Sequence, residues 1–215
     1  MQLLSPLSGT EDYKWWRFTL VMTIISALYF GTNRWHLFPA TLITRTWIDN
    51  AIPFVPGTVL IYLSYFFSFF AVFYQEKNQG QLKAYCLALL LLNLICNLIF
   101  ILYPTTYDRR PSLAVEEMPW ALEATFASLY FLDSPANCLP SLHVANSFLA
   151  ALVWFRRNSR RFLLYLIWTF LISVSTLTTK QHYLYDIVMG YLAAWCSYCV
   201  VFSVLKDRLC PSAMK

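Results

Sequence analysis

The chain has 215 residues, 59% of them hydrophobic and 18% aromatic, with only 13% charged and a mean hydropathy of +0.52. A soluble domain carries about 25% charged residues and could not bury this much apolar surface, so the bilayer is the expected solvent, and the length fits a single membrane domain. The net charge of +5 comes without a Lys/Arg-rich patch suited to a duplex, which argues against a nucleic-acid partner and for membrane topology as its origin.

A spanning helix needs about 20 mostly apolar residues. Six segments approach that, at 17–33, 52–74, 83–103, 141–155, 162–178 and 183–205. The expected fold class is therefore all-α, a polytopic membrane bundle of six transmembrane helices. The first run begins near Arg17 without a small-residue cleavage site, so it reads as a retained span rather than a removed signal peptide. Residues 34–51, with Trp35, His36, Phe38, Trp47 and Ile48, read as a re-entrant or interfacial piece with aromatics at headgroup depth. His36 reads there as a packing residue. Pro53 and Pro56 fall near the start of the second span, where proline is tolerated. Residues 75–82 predict a short polar turn. The long loop 104–140 holds Asp108, Arg109, Arg110, Glu116, Glu117, Glu123 and Asp133, and 118–132 within it predicts a short surface helix. The fourth and fifth spans are short and must tilt, thin the bilayer or extend. Most of the six cysteines, among them Cys196 and Cys199, fall in apolar runs and read as small packing residues rather than metal or redox sites.

Orientation follows from the basic residues. With a cytoplasmic N-terminus, eleven lie inside (Lys14, Arg17, Lys77, Lys83, Arg156, Arg157, Arg160, Arg161, Lys206, Arg208 and Lys215) and five outside (Arg34, Arg45, Arg109, Arg110 and Lys180). Both termini are expected in the cytoplasm. The compact chain suggests a bacterial inner membrane by default, with an organelle membrane as the other setting.

That topology gathers three polar stretches at the extracytoplasmic face: the loop after Tyr103 with Arg110, the start of the fourth span at Pro140-Ser141-Leu142-His143, and the junction Thr178-Thr179-Lys180-Gln181-His182-Tyr183-Leu184-Tyr185-Asp186. His182 and Asp186 are four apart, which on a helix puts both on one face. The carboxylate then holds one imidazole nitrogen and leaves the other as a nucleophile. Asp186 lies in an apolar helix, where an ionisable group is expensive and usually functional. Thr178 and Gln181 match a capping box that would start the sixth helix, with His182 in its first, anion-favouring turn. Ser141 is a helix cap or phosphate donor, and His143, across the cleft, can protonate a leaving oxygen. Arg110 and Lys180 can neutralise phosphate oxygens. This set is rich in cations and lacks a third histidine or second carboxylate, so no metal and no other cofactor is expected.

At these residues the chain resembles the type 2 phosphatidic acid phosphatase superfamily. Its pattern is K-x6-R-P, then P-S-G-H, then S-R-x5-H-x3-D. The first motif spans Tyr103 to Arg110-Pro111, with Tyr103 for Lys. The second is Pro140-Ser141-Leu142-His143, with Leu142 for Gly. The third runs from Ser175-Thr176 to His182 and Asp186, with Thr176 for Arg. The resemblance covers roughly 83–205, which it marks as the catalytic core. It implies a lipid phosphate phosphatase acting through a phosphohistidine on His182, with the membrane lipid phosphate and the bilayer as partners. The wording Leu-Pro-Ser-Leu-His and Thr-Lys-Gln-His-Tyr is most similar to the branch containing inositol phosphorylceramide synthases. That implies, as the alternative, a lipid phosphotransferase or headgroup synthase with a lipid hydroxyl as acceptor. A non-catalytic transporter or scaffold of the same fold is a third reading, against which His143, His182 and Asp186 argue. The lipid and the oligomeric state are not legible in the sequence.

Overall fold

The computed structural model describes residues 8–35, 37–107 and 118–204. His36 and Arg110, both singled out above, lie outside the described residues. Helix makes up 74% and strand 3%, in agreement with the all-α expectation.

In chain order the helices are α1 (Ser8–Arg34), α2 (Trp47–Ala51), α3 (Val59–Leu63) after a 3-10 turn at Pro56–Thr58, α4 (Tyr65–Gln75), α5 (Gln79–Leu102), α6 (Trp120–Leu132), α7 (Leu142–Leu152), α8 (Ser159–Thr178) and α9 (Leu184–Cys199), the last continued by a π-helical turn at Val200–Val204. Two short strands, β1 (Thr41–Leu42) and β2 (Thr105–Thr106), pair in parallel, Thr41 opposite Thr105. They tie the segment between α1 and α2 to the chain leaving α5. Within that segment Trp35, Phe38 and Trp47 are exposed.

Asparagine caps decide where two helices begin. The Asn78 side chain accepts the Gln81 N–H at 3.0 Å and starts α5 at Gln79, so most of the expected polar turn 75–82 is already helical. Asn158 does the same for α8, accepting the Arg161 N–H at 2.9 Å. The second span is interrupted at Ser64, whose hydroxyl donates to the Ile61 carbonyl at 2.6 Å, a back-bond that bends helices.

Among the described residues, four helical stretches are long and apolar enough to cross a membrane: Pro56–Gln75, Gln79–Leu102, Ser159–Thr178 and Leu184–Phe202. They point to an integral membrane protein. Their outer faces carry Leu94, Leu98, Phe170 and Leu192, all exposed, as lipid-facing positions do. The remaining two expected spans differ. α1 has the length but not the apolarity, and α7 has only 11 residues, about 16 Å of helix against a hydrocarbon core of ~30 Å. α7 is enclosed by other helices along most of its length. Ten of its residues are buried, and it packs against α4, α5, α8 and α9. Ala145, Ala150 and Ala151 let those helices approach closely.

One contact fixes how α9 sits on the start of α7. A Cβ on Gly190 would lie 2.7 Å from the Ser141 carbonyl oxygen, inside any permitted contact and against backbone that cannot swing away. Gly190→Ala is therefore expected to destabilise the folded protein by about 1–3 kcal/mol. Thermal unfolding in detergent would register this as a lower midpoint, and activity should fall with it because His143 follows Ser141 by two residues. An unchanged midpoint would refute this account of the α7–α9 contact.

The two ends of the bundle differ. At one end Arg157 pairs with Glu76 at 2.7 Å, Arg17 donates to Gln79 at 2.7 Å and Lys14 to the Tyr74 carbonyl. At the other, the ends of α5 and α8 meet: the Tyr107 hydroxyl donates to Gln181 Oε1 at 3.1 Å. The starts of α7 and α9 and the described part of the loop after Tyr103 collect at that second end.

Candidate active site

The approach to the site is set by how α8 stops. Thr179 is its C-cap and Lys180 takes a left-handed conformation, φ 57°. The Lys180 N–H then donates to the Leu177 carbonyl at 3.2 Å and the Gln181 N–H to the Thr176 carbonyl at 3.0 Å. This is a Schellman ending, with a lysine at the position glycine usually fills. The expected capping box of Thr178 and Gln181 does not form. Thr178 is the last helical residue and its hydroxyl bonds back to the Val174 carbonyl, while the next helix begins only at Leu184 with Tyr183 as N-cap. His182 therefore precedes α9 rather than lying in its first turn.

Asp186, fully buried, is the third residue of α9. Its Oδ2 accepts the Tyr183 N–H at 2.9 Å, satisfying one of the unpaired donors of the helix start. The same oxygen lies 3.2 Å from His182 Nδ1. Nδ1 must donate there, which leaves a lone pair on His182 Nε2. Nε2 lies 3.3 Å from His143 Nδ1, so that nitrogen carries a proton. His143 Nε2 is 2.8 Å from the Tyr62 hydroxyl. These proton positions follow from the donors and acceptors around them. One hydrogen-bonded line thus runs from Asp186 through His182 and His143 to Tyr62, all buried.

Two hollows adjoin it. A small one is walled by His143, His182, Gln181, Tyr107, Asn137 and Leu142, among others. A larger cavity of about 500 Å³ is lined mostly by apolar groups, including Ile25, Phe66, Phe69 and Leu129, and reaches Tyr62 and His143 but not His182. Leu142, which stands where the family pattern has glycine, lines both. Asp133 also borders both, and accepts from the Tyr29 hydroxyl at 2.5 Å and Asn33 at 3.1 Å.

The structure brings His182 and Asp186 into contact, as their spacing suggested, and sets His143 against His182. The histidines touch each other rather than facing across an open cleft. Ser141 is bound in by its backbone, its N–H donating to the Asp186 carbonyl at 3.0 Å, while among the described residues its buried hydroxyl has no hydrogen-bond partner, nor has Asp186 Oδ1. Lys180 turns to the backbone carbonyls of Asp49 and Ile52, and burial, with Arg45 nearby, holds its ammonium pKa below the usual lysine value. Of the residues at the family's other cation positions, Tyr103 is exposed and Thr176 bonds to the Ser173 carbonyl of its own helix. Among the described residues no three His, Cys, Asp or Glu side chains gather as a metal site.

Two residues at the site carried no signal strong enough to single them out. Tyr62 is one. Asp49 is the other: its Oδ1 accepts the Leu184 N–H at 2.9 Å and its Oδ2 caps α2 with Thr46, so it fixes the start of α9 from α2. The Thr-x-x-Asp spacing of Thr46 and Asp49 is a capping signature that could have revealed it.

A family model of the PAP2 superfamily matches residues 81–210. That stretch holds His143, His182 and Asp186 and stops short of Tyr62. No curated protein matches the chain.

Proposed function

Because the chain belongs to the PAP2 superfamily, whose members are phosphoesterases, we propose that it hydrolyses a lipid phosphate ester through a phosphohistidine on His182. The observation that carries this reading is the buried line from Asp186 to His143. It leaves His182 Nε2 unprotonated and aims the proton of His143 Nδ1 at it.

The steps balance with the chain's own residues. His182 Nε2 attacks phosphorus, its Nδ1–H held by Asp186. The ester P–O bond breaks, and His143, as imidazolium, gives its Nδ1 proton to the departing alkoxide. Water then attacks the phosphohistidine, returns a proton to His143 Nδ1, and the P–N bond breaks. At 3.3 Å the two ring nitrogens leave no room for a phosphorus between them, so substrate must part them as it enters. The unpartnered Ser141 hydroxyl is suited to donate to a phosphate oxygen. Arg110 supplies a second contact and Lys180 a fixed positive charge, so that no metal is required.

The apolar cavity beside His143 supports a lipid as the alcohol part of the ester. The same cavity favours a second reading. A lipid hydroxyl seated there reaches His143 and takes the place of water, which makes the protein a phosphotransferase or headgroup synthase, as in the inositol phosphorylceramide synthase-like branch. In either case the site is assigned to the extracytoplasmic face of a six-span bundle with both termini cytoplasmic. α1 and the buried α7 complete the six, and the basic residues at the opposite end support this orientation.

Reconstitution into vesicles tests the reading. With a lipid phosphomonoester as the only substrate, inorganic phosphate should be released at a rate that a chelator does not change. A new phospholipid formed only when a hydroxyl-bearing lipid is added would identify the transferase instead. No turnover of phosphate esters of either kind would overturn both.

A further inference from the structure

Resting on that reading, we propose that Tyr62 is a positioning residue for the general acid–base His143, holding its imidazole while substrate separates it from His182. Tyr62 lies on α3, outside the family match and outside every motif of the sequence. Its hydroxyl is 2.8 Å from His143 Nε2, and the two rings lie against each other tilted by 35°, with centroids 4.4 Å apart. Tyr65, one turn on, meets the same imidazole edge-on at 4.4 Å. The aromatic rings limit how His143 tilts; the hydrogen bond sets which nitrogen faces the reacting groups. The Pro56–Thr58 turn and the bend at Ser64 isolate α3 as a single turn of helix packed on α8. Tyr62, 1% exposed, sits there in a cluster with Val59 and Phe126.

The resting site holds His143 at both nitrogens, by Tyr62 at Nε2 and by His182 at Nδ1. Once a phosphoryl group enters, the second hold is gone, and Nδ1 must turn its proton to the leaving oxygen. The Tyr62 bond persists through that change because a hydroxyl both donates and accepts. It donates to Nε2 in the resting site, where that nitrogen is bare, and accepts from Nε2–H during turnover, whether His143 is imidazolium or neutral. The proton delivered to the leaving alkoxide comes from Nδ1 and is recovered at Nδ1 from water; the Nε2 proton stays against the Tyr62 oxygen throughout. A phenylalanine keeps the packing and loses only this hold.

Leaving-group dependence separates positioning from packing. An alkyl phosphate needs a proton on its departing oxygen, whereas an aryl phosphate such as p-nitrophenyl phosphate departs without one. Tyr62→Phe in vesicles is expected to lower kcat for an alkyl lipid phosphate by about 10- to 100-fold, part of the ~10²–10⁴-fold that a general acid supplies. The initial burst of p-nitrophenol should change by less than about threefold. In a His143→Ala background Tyr62→Phe should cost nothing more, as expected of residues that act as a unit. Equal losses for both leaving groups, an undiminished alkyl rate, or a further loss on top of His143→Ala would each overturn the proposal. These outcomes leave the phosphohistidine reading intact, since that reading fails only if the wild-type protein does not turn over phosphate esters or if it does so without His182.

Discussion

His182→Ala is expected to abolish phosphate release from lipid phosphate, with a loss on the order of 10⁴-fold or more, as removal of a nucleophile does in other covalent catalysts. His143 cannot stand in, because its Nδ1 is the proton-bearing nitrogen and its Nε2 is occupied by Tyr62. The fold should survive. The Tyr183 N–H keeps its bond to Asp186 Oδ2, and the His182 N–H to the Thr176 carbonyl belongs to the backbone. The check is the vesicle assay together with a thermal unfolding midpoint. Near-normal turnover by a folded His182→Ala protein would assign the nucleophile elsewhere.

Asp186 should matter for two separable reasons. Asp186→Ala strips the acceptor from both His182 Nδ1 and the Tyr183 N–H. A buried helix-start donor left unpaired costs about 1–3 kcal/mol, and His182 loses the contact that selects its tautomer. Activity should fall about 10³- to 10⁴-fold, the scale seen when a carboxylate that orients a catalytic histidine is replaced. Asp186→Asn divides the two effects. Its amide oxygen can still cap Tyr183, so the unfolding midpoint should stay close to wild type, whereas the lost charge should still lower activity about 10³-fold. Parallel losses of stability and activity in the Asn variant would mean that Asp186 serves the fold alone.

The bundle and the heart of the site were both legible, though not always for the right reason. The His-x3-Asp spacing forecast a contact that exists, by an argument from one helical face that does not hold. His182 is not helical; the left-handed Lys180 turns the chain back and Asp186 caps the helix that starts just after it. A lysine in that conformation gives no sequence signal of the kind a glycine would. The capping reading of Thr178 failed because apolar periodicity carries α8 through it, and a threonine can bond back to its own helix as readily as cap the next. The starts of α5 and α8 were placed too late for the opposite reason: Asn78 and Asn158 are caps of the preferred type, and polar composition hid them as a turn. α7 was read as a short span that must tilt, thin the bilayer or extend; its burial by neighbouring helices is something composition alone does not reveal. Tyr62 was invisible because one tyrosine in Val-Leu-Ile-Tyr-Leu looks like any other aromatic near a membrane surface. Only the packing of α3 brings its hydroxyl to His143.

The central claim is that His182 is transiently phosphorylated, and trapping that species tests it most directly. Protein mixed with a lipid phosphate radiolabelled in its phosphoryl group, then quenched rapidly in alkali, should carry label that is stable to base, lost in acid and mapped to the peptide containing His182. The His182→Ala protein should carry none. A label stable to acid, or one on any residue other than His182, would contradict the account.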